Sequence, residues 1–546
     1  MLGRTFLFTF LLIVTAAAAS AKPAELKIAV EPAGSAYRVS VTFAGDADGS
    51  TNILLPNEWG GQQELFRAIR NLSVSKGTTL ADSDKPFVKT LTHQPGQKII
   101  VTYEISQDFQ GPLTNAVRYR PVTDASYIHW IGNAVWVLPE WDEQADNEIS
   151  IEWKGFAKSW TVANSFGTSR RKQKFQAKLS ELLSAIFVAG DFRITTTKAK
   201  ANDVNIAIRG KWQFTDAELA EMIRKVIDTE RDFFGDHTQK YYLVTLVQTD
   251  EGPKALSFGG TGLTDSFALF ATPNATVSRL RGLLAHEYAH NWIPGRLGRM
   301  PEPEQDLYWF SEGFTDFYTY KLLRSGSLIT AAEYAEAYNE RIREYYLLPV
   351  RNEPNDRIVK DFWTDRNVQR LPYLRGFLFA TNLDADIRNA SEGTASLDNA
   401  IRELFATSKT QLSFESLTAL FSKYLGVDIT SAVRLHLRDG ATIVPQPYAL
   451  GPDFTQRITE MPVFELGFDF DKFAKDRVVA ELDPNSSAYA AGLRNGQKRI
   501  GGVSLAFGDT TKEVELKVKD DEGEKTIKFL PIARTRLEIP QYQLKQ

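Results

Sequence analysis

Residues 283–292 read LLAHEYAHNW, and the spacing inside this stretch decides how the chain around it must fold. His286 and His290 are four apart, so on an α-helix they share one face with β-carbons about 5 to 6 Å from each other, within reach of a single ion. Glu287 projects beside that face, where its carboxylate can polarise a water held by the ion. The preceding VSRLRGLLA (277–285) sets apolar residues at helical intervals, which predicts a helix running into the motif. The chain has only six histidines in 546 residues. Chance would place two of them around a glutamate in this way about 0.004 times per chain of this composition.

A catalytic ion of this kind needs three protein ligands and one open position. The chain contains no cysteine, so the third ligand must be a histidine or a carboxylate. His436, in RLHLRDG (434–440), stands far downstream without a companion pattern. Glu312, in YWFSEGFTDFYTY (308–320), is the better candidate, on a helical stretch that follows the Pro/Gly-rich connection at 294–303. Asp316 lies one turn later, a spacing that lets it accept a hydrogen bond from the free N–H of a ligating histidine. Trp309, Phe310, Phe314, Phe317 and Tyr318 flank both acids. Buried among them, the two carboxylates would need a cationic partner, which argues against a solvated acidic face.

The whole chain carries 64 Lys and Arg against 68 Asp and Glu, a formal charge of −4. Without Arg4 the balance is 63 against 68, or −5, and no strong basic field exists to draw nucleic acid. Apolar residues make up 43% and charged residues 24%, an ordinary globular composition. The first twenty-one residues, MLGRTFLFTFLLIVTAAAASA, differ from the rest: one early cation, a short apolar run, then Ala19-Ser20-Ala21. That is the layout of a signal peptide cut after Ala21, and it predicts export to a periplasm or to the medium. The apolar run is too short to span a bilayer, and no later segment is long and apolar enough, so no membrane span is expected in the mature chain.

From 22 to 200 the chain alternates apolar and polar residues, as in Tyr37, Val39, Val41, Phe43 and again in Ile149, Ile151, Trp153, with turn clusters such as AGDADGS (44–50). This predicts a β-sandwich-like domain of half-buried antiparallel strands. Near 201 the pattern changes: DVNIAIRG reads as a strand, Thr215 with Glu218 as a capping box, and 216–234 as a helix burying Leu219, Met222, Ile223, Val226 and Ile227. YYLVTLVQ (241–248) reads as a buried strand, and 275 to about 440 as mainly helical. From 455 to 546 the strand-like segments GFDF, RVVAEL, VELKVKD and TIKFLPI suggest a further small domain. The fold class expected is therefore multidomain α+β.

HEYAHNW followed by WFSEGFTDFYTY resembles the gluzincin metallopeptidases, specifically the M61 glycyl aminopeptidase family. The resemblance implies an N-terminal β domain (22–200), a thermolysin-like zinc peptidase domain (201–450) and a C-terminal PDZ-like domain (455–546). It implies one zinc ion per chain held by His286, His290 and Glu312, Glu287 as general base, and a peptide or protein substrate. PYLRGFLFA (372–380) is similar to the Tyr-x-Lys-Gly helix of related aminopeptidases, which makes Tyr373 the oxyanion donor and puts Arg375 in place of the lysine. ELGF (465–468) resembles a PDZ carboxylate-binding loop, built here from Leu466, Gly467 and Phe468. SFGGTGLTDSFALF (257–270) resembles the family's substrate-binding strand, with Gly259, Gly260, Thr261 and Gly262 along the peptide. Gly262 stands where the family has the glutamate that pairs with a substrate's amino terminus.

Three functions follow from these residues. An exported zinc aminopeptidase fits the layout as a whole. A zinc endopeptidase, or one of altered end-specificity, fits Gly262. A non-catalytic envelope protein that binds peptide through a PDZ-like domain is the third.

Overall fold

The computed structural model describes residues 23–252, 255–407, 410–503, 505, 506 and 508–545; the leader expected at 1–21 lies outside them. The chain divides into two compact units, one running to Ile194 and taking in Leu263–Ser266, the other comprising Thr195–Gly262 and Phe267–Gln546. Among the described residues no helix is long and apolar enough to cross a membrane.

The first unit is built from sheets of six, four and five strands. Tyr37, Val39, Val41 and Phe43 point inward, as do Ile149, Ile151 and Trp153, and one core gathers residues of all three sheets. The strands are not all antiparallel as alternation suggested. Ala24–Ala33 pairs in parallel with Asp146–Trp153, which a long connection permits and a period of two cannot reveal.

His129 lies in the fully buried strand Tyr127–Ile131 of this unit. Burial pushes its imidazole down to about 3, against an ordinary value of about 6.5. The folded unit therefore keeps His129 neutral while the unfolded chain takes up a proton, so stability is lost as pH falls from about 6.5 toward 3. Urea unfolding at pH 7 and pH 5 should show the wild type losing up to about 1.4 kcal/mol per pH unit more than H129Q. Equal losses in the two proteins would contradict this.

Numbering the elements of the second unit from its start, β1 (Arg193–Ala199), β2 (Asn202–Ile208), β3 (Tyr241–Gln248), β4 (Phe258–Leu263) and β5 (Ser266–Ala271) form one sheet in the order β1-β2-β3-β5-β4. β1 was expected on the other side of the boundary at 200/201. It pairs with β2 across a turn in which Lys200 has φ 52°, and alternation alone does not say which sheet a strand joins. β2 and β3 are parallel, so the chain must cross over between them, and α1 (Asp216–Phe234) does so. Its Thr215/Glu218 capping box is formed, and Leu219, Met222, Ile223, Val226 and Ile227 face the core as their spacing predicted. Helices α2 (Val277–Ala289), α3 (Tyr308–Ser311), α4 (Gly313–Ser325), α5 (Ala331–Leu347) and α6 (Arg366–Ala390) complete the part that carries the site.

The terminal segment opens with a ribbon that pairs Phe454–Phe464 with Ile532–Leu544. Phe454, Ile539 and Tyr542 belong to the helical core, and Asn339 of α5 exchanges hydrogen bonds of 2.9 and 2.7 Å with the Tyr542 backbone. Beyond the ribbon a smaller core forms around Leu466, Phe473, Val479, Leu493 and Val518. VELKVKD is a strand, and TIKFLPI contributes to the strand Gly523–Phe529. GFDF is not a strand: Gly467 takes φ +76°, where a Cβ would meet Ser486 Cβ at 2.2 Å. Asp469 then caps the short helix Phe470–Lys475. RVVAEL contributes only an isolated bridge, Val478 to Lys498.

Candidate metal centre

The motif helix α2 buries Leu280, Leu284, Ala285, Tyr288 and Ala289 together with His286, and His290 follows His286 by one turn on the same face. His286 lies inside the last turn, and His290 is the residue at the helix end. Glu312 occupies the joint between α3 and α4 in helical conformation. Trp309, Phe310, Phe314, Phe317 and Tyr318 around it are at most 2% exposed, the apolar setting expected from the sequence.

The three candidate ligand atoms form a near-equilateral triangle. His286 Nε2 and His290 Nε2 are 3.1 Å apart, and Glu312 Oε2 lies 3.3 Å from the first and 3.5 Å from the second. Ligands about 2.0–2.1 Å from a tetrahedral zinc are separated by about 3.3 Å, so the residues fit one such ion. Among the described residues, His286, His290 and Glu312 are the group whose ligand atoms converge in this way. His436 is elsewhere, its Nδ1 3.2 Å from the Ala441 carbonyl.

The far nitrogens of both imidazoles are tied down. His286 Nδ1 lies 3.0 Å from Asp316 Oδ1, and His290 Nδ1 lies 2.7 Å from the Ile293 carbonyl. With Nδ1–H donating, each ring turns a bare Nε2 toward the common point. Burial opposes charge on Glu312 and Asp316, yet both carboxyls are held well below the usual range. Without a metal it is the protonated form of the imidazoles, itself favoured by the carboxylates, that does this for Glu312, and Arg341 with His286 does it for Asp316.

Glu287 is placed differently. Burial raises its pKa, while His290, His286 and one backbone hydrogen bond restrain the rise. That bond comes from Gly262 N–H, 2.9 Å from Glu287 Oε2. β4 is the edge strand of its sheet, and Gly259, Gly260, Thr261 and Gly262 all lie on it, with Gly262 against Glu287. Gly260 leaves no room for a side chain, since a Cβ would come within 2.5 Å of the Ala268 carbonyl oxygen. Gly262 is exposed.

Tyr373 reaches the site through a close crossing of two backbones. A Cβ at Gly376 would sit 1.8 Å from the Trp309 carbonyl oxygen and 2.8 Å from Gly313 Cα. Only glycines let α6 approach the α3–α4 joint so closely, and the crossing carries Tyr373, one turn earlier, to Glu312. The Tyr373 ring stacks 6.0 Å from that of His286. Burial and the neighbouring Glu312 and Glu287 raise its pKa well above the ordinary tyrosine value, so the phenol keeps its proton. Arg375 does not share the site: it is fully buried and donates to the Arg351 and Glu353 carbonyls at 3.0 and 2.5 Å. Sequence reasoning missed Arg341, whose Nε lies 3.1 Å from Asp316 Oδ2; the signal was the second oxygen of a buried aspartate, which needs a donor.

The site's ligand set, together with a family match over the same segment, supports a metallopeptidase. Residues 279–354, which carry most of the motif helix and the Glu312 joint, match the model of the M61 glycyl aminopeptidase family. No curated protein matches the sequence. A crystal structure of an aminopeptidase N family protein from Idiomarina loihiensis is similar, with a TM-score of 0.71 at 16% identity over 95% of this chain and 98% of that one. That likeness is one of fold. An M1 zinc metallopeptidase from Deinococcus radiodurans has a TM-score of 0.49 at 15% identity, over 78% of this chain and 95% of that one.

The glycine crossing yields a direct test. G376A should destabilise the protein by about 2 kcal/mol or more through overpacking, seen as a lower midpoint in thermal unfolding. A wild-type midpoint would contradict the close approach.

Proposed function

We propose that the protein is an exported zinc peptidase that removes residues from the amino terminus of peptides, with Glu287 as general base. The observation that carries this reading is the triangle of His286 Nε2, His290 Nε2 and Glu312 Oε2, 3.1 to 3.5 Å on its edges, with Glu287 beside it. His286, His290 and Glu312 would hold one zinc ion per chain, which would supply Lewis-acid polarisation of the scissile carbonyl and a water acidified toward neutrality. Glu287 takes the water's proton and passes it to the leaving amine. Burial raises its pKa, which strengthens it as a proton acceptor relative to an exposed carboxylate. The Gly262 N–H occupies one oxygen of Glu287 and leaves the other available to take a proton. Tyr373, held protonated, donates to the oxygen on which charge develops. The edge strand β4 receives an extended substrate by backbone pairing. The leader at 1–21 supports export, and ELGF supports a peptide-binding role for the terminal segment through Leu466, Gly467 and Phe468.

A second reading has a specific observation behind it. Gly262 offers no carboxylate where the family's amine-binding glutamate would stand, which favours internal cleavage or altered end-specificity.

Mass spectrometry of products from paired free and N-acetylated peptides separates the two. Aminopeptidase action predicts stepwise release from the free peptide alone, whereas internal cuts in both members would replace it with the endopeptidase reading. E287Q should lose about 10²–10⁴-fold in kcat with zinc content unchanged, and Y373F about 10²–10³-fold. Full activity in E287Q would overturn the proposed base, and no hydrolysis by the wild type would favour the non-catalytic peptide binder.

A further inference from the structure

Resting on the zinc reading above, we propose that Arg341 is a positioning residue for the metal centre, acting on His286 through Asp316. Neither the motif nor the family match assigns it a role. Arg341 stands on α5, Asp316 on α4 and His286 on α2, and the three side chains form one relay. Arg341 Nε donates to Asp316 Oδ2 at 3.1 Å, and Asp316 Oδ1 lies 3.0 Å from His286 Nδ1. The two oxygens of one carboxylate are thus divided between a cation and a metal ligand. Each is used once.

The guanidinium is itself firmly held. Its Nη2 donates to Tyr320 Oη at 2.8 Å and its Nη1 to the Ala337 carbonyl at 3.1 Å. Its centre lies 4.0 Å over the Tyr320 ring and 5.4 Å from that of Phe377. The Arg341 and Asp316 side chains are only 13% and 9% exposed, so solvent screening is weak and the pairing has a defined geometry. Arg370, the other cation nearby, is committed elsewhere: it binds Glu344 through two bonds of 2.6 and 2.8 Å.

The consequence is orientational. A carboxylate bonded only to His286 could rotate about its last torsion or shift along the ring edge. With Oδ2 pinned by Arg341, Oδ1 is aimed at Nδ1, the proton of His286 stays on Nδ1, and Nε2 is presented bare to the metal. Partners that orient a ligating imidazole typically affect metal affinity by about 10–100-fold. An ion pair that served only to pack α5 against α4 would have no such effect.

The test is zinc affinity of the full chain, measured by competition with a chromophoric chelator, with thermal unfolding of the metal-free proteins as the control for folding. R341Q should bind zinc about tenfold or more weakly than the wild type. R341K, which keeps the charge but not the three-way fork, should fall between. In the double variant D316N/R341Q, affinity should be no lower than in D316N alone, because Arg341 acts only through Asp316. Wild-type affinity in R341Q would overturn the proposal, and so would losses that multiply in the double variant. If R341Q does not fold, R341K decides: weakened binding is expected, and wild-type affinity refutes it. Failure of the wild type to bind zinc at this site would instead remove the zinc reading itself.

Discussion

The candidate site answers to one electrostatic constraint: Glu287, Glu312 and Asp316 are gathered around two imidazoles in a region that largely excludes water. Such groups cannot be left uncompensated, because desolvating a lone carboxylate costs several kcal/mol. The protein divides the compensation. Asp316 is shared between Arg341 and His286, Glu312 faces both histidines, and Glu287 receives a backbone N–H from Gly262. The least compensated of the three, Glu287, is the one whose pKa is raised. Glu287, the proposed base, is therefore distinguished from its neighbours by surroundings rather than by chemistry.

The scaffold converts this arrangement into geometry. His286 and His290 come from the end of one helix, Glu312 from the joint between two others, and Tyr373 from a fourth that touches that joint through Gly376. Short spacings within α2 fix two ligands relative to each other. Backbone contact at Gly313 and Gly376 fixes the remainder, and a backbone crossing has few ways to relax. The edge strand β4 then brings the Gly262 backbone against Glu287. Gly262 lies on the exposed edge strand and restrains the Glu287 carboxylate.

Much of this could be read from the sequence, for identifiable reasons. The two histidines, the capping box at Thr215 and the buried face of α1 are local features, in which residues three or four apart determine their own geometry. Glu312 and Asp316 were legible because acids inside an aromatic run require a partner. Arg341 was not, since it meets Asp316 from another helix and no pattern in its own neighbourhood signals the contact. The Gly262–Glu287 bond escaped for a related reason: a backbone donor has no residue type. β1 was assigned to the wrong side of a boundary because alternation specifies a strand and not its sheet, and GFDF was misread because Gly467 supplies a positive φ that hydrophobic pattern does not encode.

The central claim is that the convergence of His286, His290 and Glu312 exists to hold one ion. Anomalous diffraction at the zinc edge from crystals of the zinc-loaded protein measures this directly. The account predicts one strong peak, about 2.0–2.1 Å from His286 Nε2, His290 Nε2 and Glu312 Oε2. A map with no peak among these three atoms, or with zinc bound at other residues instead, would contradict it.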